Sequence, residues 1–394
     1  MNAFLYHVLW GISICDVTNP AKIHNINQKG HIARKGVSIM HKKAAEFFLG
    51  GVSPTGFRTP FGDIVSDTDF FTYIIKGGPG TGKSSLMKRL AEAFPDEEKE
   101  LYHCSSDAAS LDAVVFSRLK VIFMDGTAPH TFDPVYPGAT AKIIDLGEYW
   151  DAGKLFSAKD KIIAVTDENA QYHSRCRRFV TAVSSLNSDS FSIAISSLNL
   201  EKLDGFTNRL SKKLFPKKAA DRKGTVSYKQ LSALTQDGYS TLVPDGYDIY
   251  LLKDPYCAGS DYFLRNISDK LTDKGYDIIV SEFYMLQNSS FEHILIPELN
   301  LAFITASDFN GLSDIQGTPV NFGRFYVKSS IVSKKQRLAF NKRASAELKS
   351  EACSALKKAK EIHDVIEGYY IDAVDFDEIN RLSYKLISML KGKA

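Results

Sequence analysis

Residues Gly77 to Ser84 read Gly-Gly-Pro-Gly-Thr-Gly-Lys-Ser, which satisfies G-x-x-x-x-G-K-[ST], the pattern of a loop that cradles phosphate groups. The spacing has a physical reason. Gly77, Gly78, Gly80 and Gly82 let the backbone turn around an anion and aim its N–H groups inward, where a side chain would block the approach. Pro79, Thr81 and Ser85 complete the stretch that would line the ligand. Lys83 is placed to reach the β- and γ-phosphates and the Ser84 hydroxyl to ligate Mg²⁺. A helix starting here adds the positive end of its dipole to the same anion.

A magnesium-bound triphosphate also needs a carboxylate at the end of a neighbouring strand. "VIFMD", Val121 to Asp125, has that form, so Asp125 is the second expected metal ligand. Gly126 follows it where many motor ATPases carry a glutamate, which points to slow hydrolysis. Candidates to replace that base are Asp107, in "HCSSD" after an earlier strand, and His130, five residues past Asp125. Arg175, Arg177 and Arg178 could act as a lid, and His103, Cys104 and His130 could form a weak metal cluster. Each has an ordinary alternative as a turn, a cap or a solvated helix face.

The elements that must position these groups follow from apolar periodicity. "FFTYII" (70 to 75), "ELYHC" (100 to 104) and "VIFM" (121 to 124) are short apolar runs suited to strands. Leu86, Met87, Leu90, Ala93 and Phe94 recur at helical spacing. The order strand, loop, helix, strand, helix, strand predicts a mostly parallel sheet of the α/β class, a three-layer α/β/α P-loop NTPase fold. Segments 155 to 215 and 330 to 390 have helical period and predict helical hairpins packed on or beside each sheet.

The chain is written twice. "GGVSPTGF" (50 to 57) answers to "SALTQDGY" (232 to 239), and "IIKGGPGTGKSS" to "LLKDPYCAGSDY" (251 to 262). "SRLKVIFMDGT" answers to "PELNLAFITAS", and "NRLS" at 208 recurs at 380. A duplicated unit of domain size is the reading, with domains at 40–216 and 226–394 and a linker at 212–226. In the second copy Asp254 replaces Gly77, Cys257 replaces Gly80, Ser260 replaces Lys83, Asp261 replaces Ser84 and Thr305 replaces Asp125. Carboxylates there repel a polyanion, so the second site is expected to be degenerate. Arg265 or Lys253 could instead reach across to the first.

In its 394 residues apolar types make up 44% and charged types 24%, with a net charge of +3, the mixture of a globular protein without a nucleic-acid footprint. Its five scattered cysteines lack CxxC spacing and fit reduced thiols in a cytoplasm. Residues 1–39 read as an arm or a mis-called start, and "AFLYHVLWGISIC" is too short to span a bilayer.

Through "SPTGF", "IIKGGPGTGKSSLMK", "HCSSD" and "DGTAPH", the span from Met40 onward resembles a family of uncharacterised bacterial tandem P-loop ATPases. That resemblance implies ATP as the nucleotide held by Gly77 to Ser84. The expectation is therefore a cytoplasmic Mg-ATP-binding protein with slow hydrolysis coupled to rearrangement between domains. A nucleotide or small-molecule kinase and a nucleotide-gated binding module are the alternatives.

Overall fold

A dozen or so elements in each half, among the described residues, are ordered by the duplication. The computed structural model describes residues 44–127, 131–216, 222–312 and 314–393; the expectation for residues 1–39 and the candidate His130 lie outside them. The first half runs β1 (Ala45–Phe48), β2 (Gly51–Ser53), β3 (Gly56–Arg58), α1 (Phe61–Val65), β4 (Phe71–Lys76), α2 (Lys83–Ala93), β5 (Lys99–His103), β6 (Leu111–Phe116), β7 (Val121–Asp125), β8 (Ala141–Asp145), α3 (Ala152–Ser157), α4 (Lys159–Ile195) and α5 (Leu200–Leu214). The second runs β9 (Val226–Tyr228), β10 (Ser232–Thr235), β11 (Gly238–Thr241), β12 (Asp248–Lys253), α6 (Ala258–Asp273), β13 (Ile278–Glu282), β14 (Phe291–Ile296), β15 (Leu301–Ala306), β16 (Thr318–Asn321), α7 (Lys328–Ser333), α8 (Lys335–Ile371) and α9 (Phe376–Lys391).

Each half builds a six-stranded mixed sheet, β1-β5-β6-β7-β4-β8 and β9-β13-β14-β15-β12-β16, in the same order. The fold is α/β with mostly parallel strands in two similar halves, and β4, β5 and β7 fall on the three apolar runs. The exceptions are β6 and β14, which lie antiparallel to both neighbours. Here the expected second helix is corrected to a strand. Leu111–Phe116 is buried along its whole length, and its turn into β7 is closed by Lys120 at φ 53, as Asn300 at φ 46 closes the equivalent turn. A hairpin connection needs no crossover helix.

Losing that helix changes the layering. Along β4 and β7, Tyr73, Ile75, Val121 and Phe123 face α2, whereas Ile74, Ile122 and Met124 join Leu251, Leu295, Ala302 and Ile304 of the second sheet in one buried cluster. Leu252, Ile294 and Phe303 point the other way, toward α6. Period-2 alternation thus gives each sheet one helix-covered face and one face shared with the other sheet. The three-layer expectation is corrected to helices, sheet, sheet, helices: each half has too few helices to cover two apolar faces, and the other half's sheet supplies the missing cover.

The tails are helical hairpins, but they do not pack on their own sheets. Leu386 and Leu390 of α9 complete the core around α2 in the first half, and Leu203 and Phe215 complete the core around α6 in the second. Reciprocal hydrogen bonds fix the crossing: Asp151 N donates to Ala373 O (2.8 Å) and Val327 N to Ser197 O (2.7 Å), while Asp375 N donates to Tyr149 O (2.7 Å) and Asn199 N to Phe325 O (2.8 Å). These pairs set the offset between tails at 176 residues. The "NRLS" match is therefore four residues out of register, one helical turn, and it survives because residues a turn apart share a face. Between the sheets' ends α4 and α8 run antiparallel, joined by Asn169 Nδ2 to Ala359 O (2.7 Å) and by Arg337 and Asn341 on Asp189.

Candidate functional site

The loop Gly77–Gly82 leaves the carboxyl end of β4 and delivers Lys83 to the first turn of α2. Gly80 (φ 69) and Gly82 (φ 84) occupy the left-handed region, which glycine enters at no steric cost. At Gly78 a Cβ would stand 2.3 Å from the Tyr370 ring, and at Gly80 3.0 Å from Glu367 O. Both neighbours belong to α8, so the second half's tail lies directly on the first half's loop.

Lys83 Nζ donates to Gly77 O (2.9 Å) and Gly78 O (2.7 Å) and stands 3.6 Å from Asp125 Oδ2. β7 pairs with β4 at Ile75–Asp125, which is why the carboxylate reaches the lysine. Asp125 Oδ1 accepts from Thr127 N (2.8 Å). Ser84 Oγ accepts from Leu111 N (2.9 Å), leaving its second lone pair available. The structure brings Lys83, Ser84 and Asp125 together at one end of the sheet. A hydroxyl and a carboxylate are the hard oxygen donors that magnesium takes, so these residues fit the ion.

The glycine after Asp125 is compulsory. A Cβ at Gly126 would stand 2.3 Å from Ile74 Cγ2 and 3.2 Å from Phe132 O. Lys76 Nζ pins the same segment by donating to Gly126 O (2.8 Å) and Phe132 O (2.7 Å). A glutamate has no room there.

Other candidates find different partners. Asp107 caps its own turn, accepting from Ala109 N (3.2 Å) and Ser110 Oγ (2.9 Å), with Lys360 Nζ of α8 at 4.0 Å. Arg175 pairs with Glu351 at 3.7 Å and lies over Phe179, 16 residues or about 24 Å along α8 from Glu367. His103 is held by Ala108 O (2.8 Å) and Glu46 (3.4 Å), and burial pushes the Cys104 thiol far up, against a metal-binding thiolate. Arg265 is spent on Asp261 (3.0 Å) and Ser289 O (2.7 Å), and Lys253 borders a cleft of about 500 Å³ beside the second loop; neither is what reaches the first site.

That second loop has closed on itself. α6 begins at Ala258, leaving four residues, Asp254 to Cys257, where the first half has six. Buried Asp254 accepts from Ser260 N (2.8 Å), Tyr256 N (3.2 Å) and Tyr326 Oη (2.8 Å). An internal carboxylate thus takes the amide donors that would otherwise meet an anion. Burial raises the Asp254 pKa against these bonds. Asp261 keeps the structural task of Ser84, accepting from Phe291 N at 2.7 Å, and adds the ion pair with Arg265.

What sequence reading missed is on α8. Lys360, His363, Glu367 and Tyr370 form a stripe along one side of the helix, and the 176-residue offset puts Ser184, Asn187, Phe191 and Ala194 at the same places on α4. Aligning the two tails in this register would have exposed the difference. Among the described residues, no helix is long and apolar enough to cross a membrane. The chain matches no family model, no curated protein and no solved structure.

Proposed function

We propose that the first half binds Mg-ATP in the Gly77–Gly82 loop and hydrolyses it slowly, with the change transmitted to the second half. One observation carries this reading. Of the two copies, only the first keeps a six-residue, glycine-formed loop with a lysine and a strand-end carboxylate converging on it. Lys83 would leave the Gly77 and Gly78 carbonyls for the β- and γ-phosphates, and the loop and α2 N–H groups would hold the anion. Ser84 and Asp125 would hold the magnesium ion, whose charge offsets that of the phosphates. Because Tyr370 and Glu367 press on the loop, reshaping it around a triphosphate must move α8.

Equilibrium binding of a fluorescent ATP analogue, together with phosphate release, tests the proposal in wild type and Lys83→Ala. The expected result is Mg-dependent binding that weakens in the variant, and turnover that falls by about 10²-fold or more on loss of that charge. Equal background rates in both proteins with tight binding would leave a nucleotide-gated module. Label passing from ATP to an acceptor instead of water would make it a kinase.

A further inference from the structure

Gly126 has no room for a water-activating side chain, and Asp107 is tied into its own turn. The site nevertheless has a third wall, and it comes from the other half. Along α8, Lys360 reaches Asp107 at 4.0 Å, His363 Nδ1 stands 3.5 Å from Glu367 Oε1, Glu367 O would lie 3.0 Å from a Cβ at Gly80, and the Tyr370 ring lies over Gly78. The spacing 360, 363, 367, 370 keeps all four on one side of the helix.

The duplication supplies the control. α4 meets the closed second loop as α8 meets the open first one, with Ala194 packed against Ala258. Its residues in register are Ser184, Asn187, Phe191 and Ala194. Ionisable groups line only the tail that covers the intact loop.

We propose that His363, oriented by Glu367, is the base that activates water in the first half's site, so that the second half supplies a catalytic residue to the first. This rests on the ATPase reading above. Nδ1 stands 3.5 Å from Glu367 and is not hydrogen-bonded in this structure; once Nδ1–H turns onto that carboxylate, Nε2 takes a proton from water. The water oxygen then bonds to the γ-phosphorus, and the bond from that phosphorus to the β,γ-bridging oxygen breaks. ADP leaves with the electron pair, and the imidazolium returns its proton to solvent. Burial holds His363 below the usual histidine range; Lys360 and Lys83 of α2 push the same way, against Glu367 and Asp364. His173 of α4 is close enough for each imidazolium to disfavour the other. The base form therefore prevails at neutral pH.

The test measures binding of the fluorescent ATP analogue and single-turnover phosphate release from pH 5 to 9 for wild type, His363→Asn and Glu367→Gln. His363→Asn is expected to bind ATP within about threefold of wild type and to lose about 10²- to 10⁴-fold in rate, with the acid limb of the profile abolished. Glu367→Gln is expected to retain more activity and to move that limb to lower pH, because a carboxylate that favours the imidazolium has been removed. A merely structural contact would not move the limb. An unchanged rate in His363→Asn, or a wild-type profile with no acid limb, overturns the inference while leaving ATP hydrolysis standing. Should His363→Asn fail to fold, the wild-type profile alone decides. Absence of ATP binding, or equal turnover in wild type and Lys83→Ala, removes the ATPase reading and this inference with it.

Discussion

Leu390 lies in the last turn of α9, hundreds of residues from the glycine loop of residues 77–82, yet its side chain is fully buried in the core around α2. Replacing it with alanine removes three methylene-level carbons from a packed cluster containing Leu86, Met87, Leu90 and Phe116. A fully buried Leu→Ala change costs about 3–4 kcal/mol, transfer and cavity included. Because each 1.4 kcal/mol is tenfold, local opening around α2 and β4 should become about 10²- to 10³-fold more frequent. Hydrogen exchange followed by peptide mass spectrometry reads this directly: peptides covering 83–93 and 71–76 lose protection, and those covering 258–273 keep theirs. Leu203→Ala, in α5, is the mirror experiment. Leu203 is equally buried, packs with Phe263 and Leu264, and should loosen α6 while sparing α2. Loss of protection on the mutated residue's own sheet in either variant would refute the exchange of tails.

Two further outcomes follow from the packing. Gly80→Ala and Gly138→Ala both force alanine into left-handed backbone (φ 69 and 79), but only the first meets α8, since nothing lies within 4 Å of a Cβ at Gly138. Each should lose about 1–2 kcal/mol to strain, with an added loss in Gly80→Ala; equal denaturation midpoints would contradict the contact with Glu367. In the second half, burial pushes the fully buried Glu292 up to about 7. A carboxyl whose pKa rises on folding stabilises fully below its ordinary value near 4.5, and that stabilisation disappears as pH climbs through 7, a swing of about 3 kcal/mol. His293, pushed down to about 3 by burial, acts oppositely, its contribution lost as pH falls below its ordinary 6.5. Glu292→Gln removes only the first effect. Its stability relative to wild type should rise by about 3 kcal/mol between pH 4.5 and 8 in chemical denaturation, and a pH-independent difference would count against it.

The sequence disclosed local structure more readily than partnership. Glycines at 77, 78, 80 and 82 before Lys83, and four apolar residues before Asp125, specify backbone and burial through short-range sterics. They were readable without the fold. The apolar face of α9, with Ile379, Leu382, Leu386 and Leu390, states that it must be covered but not by which sheet, because either one offers a flat apolar surface. The antiparallel β6 was hidden by the same ambiguity: "LDAVVF" is a short apolar run that suits a strand or a buried helix segment. Lys360, His363 and Glu367 lie among charged residues that resemble any solvated helix face, and they become distinctive only beside Ser184, Asn187 and Phe191.

Duplication makes that comparison a statement about division of labour. The backbone of both copies keeps the same strand order, the same glycine turns at 56 and 238, and the same crossing hydrogen bonds between tails. Chemistry diverged in a correlated way: the second loop filled its amide nest with Asp254, and the tail resting on that loop carries serine, asparagine, phenylalanine and alanine. A loop and the tail that covers it come from opposite halves of the chain, so neither half alone holds both. Cutting the chain between the halves would leave the loop of residues 77–82 without α8 and the core around α2 without Leu386 and Leu390. The second half is thereby a structural requirement of the first, whether or not it binds a ligand of its own.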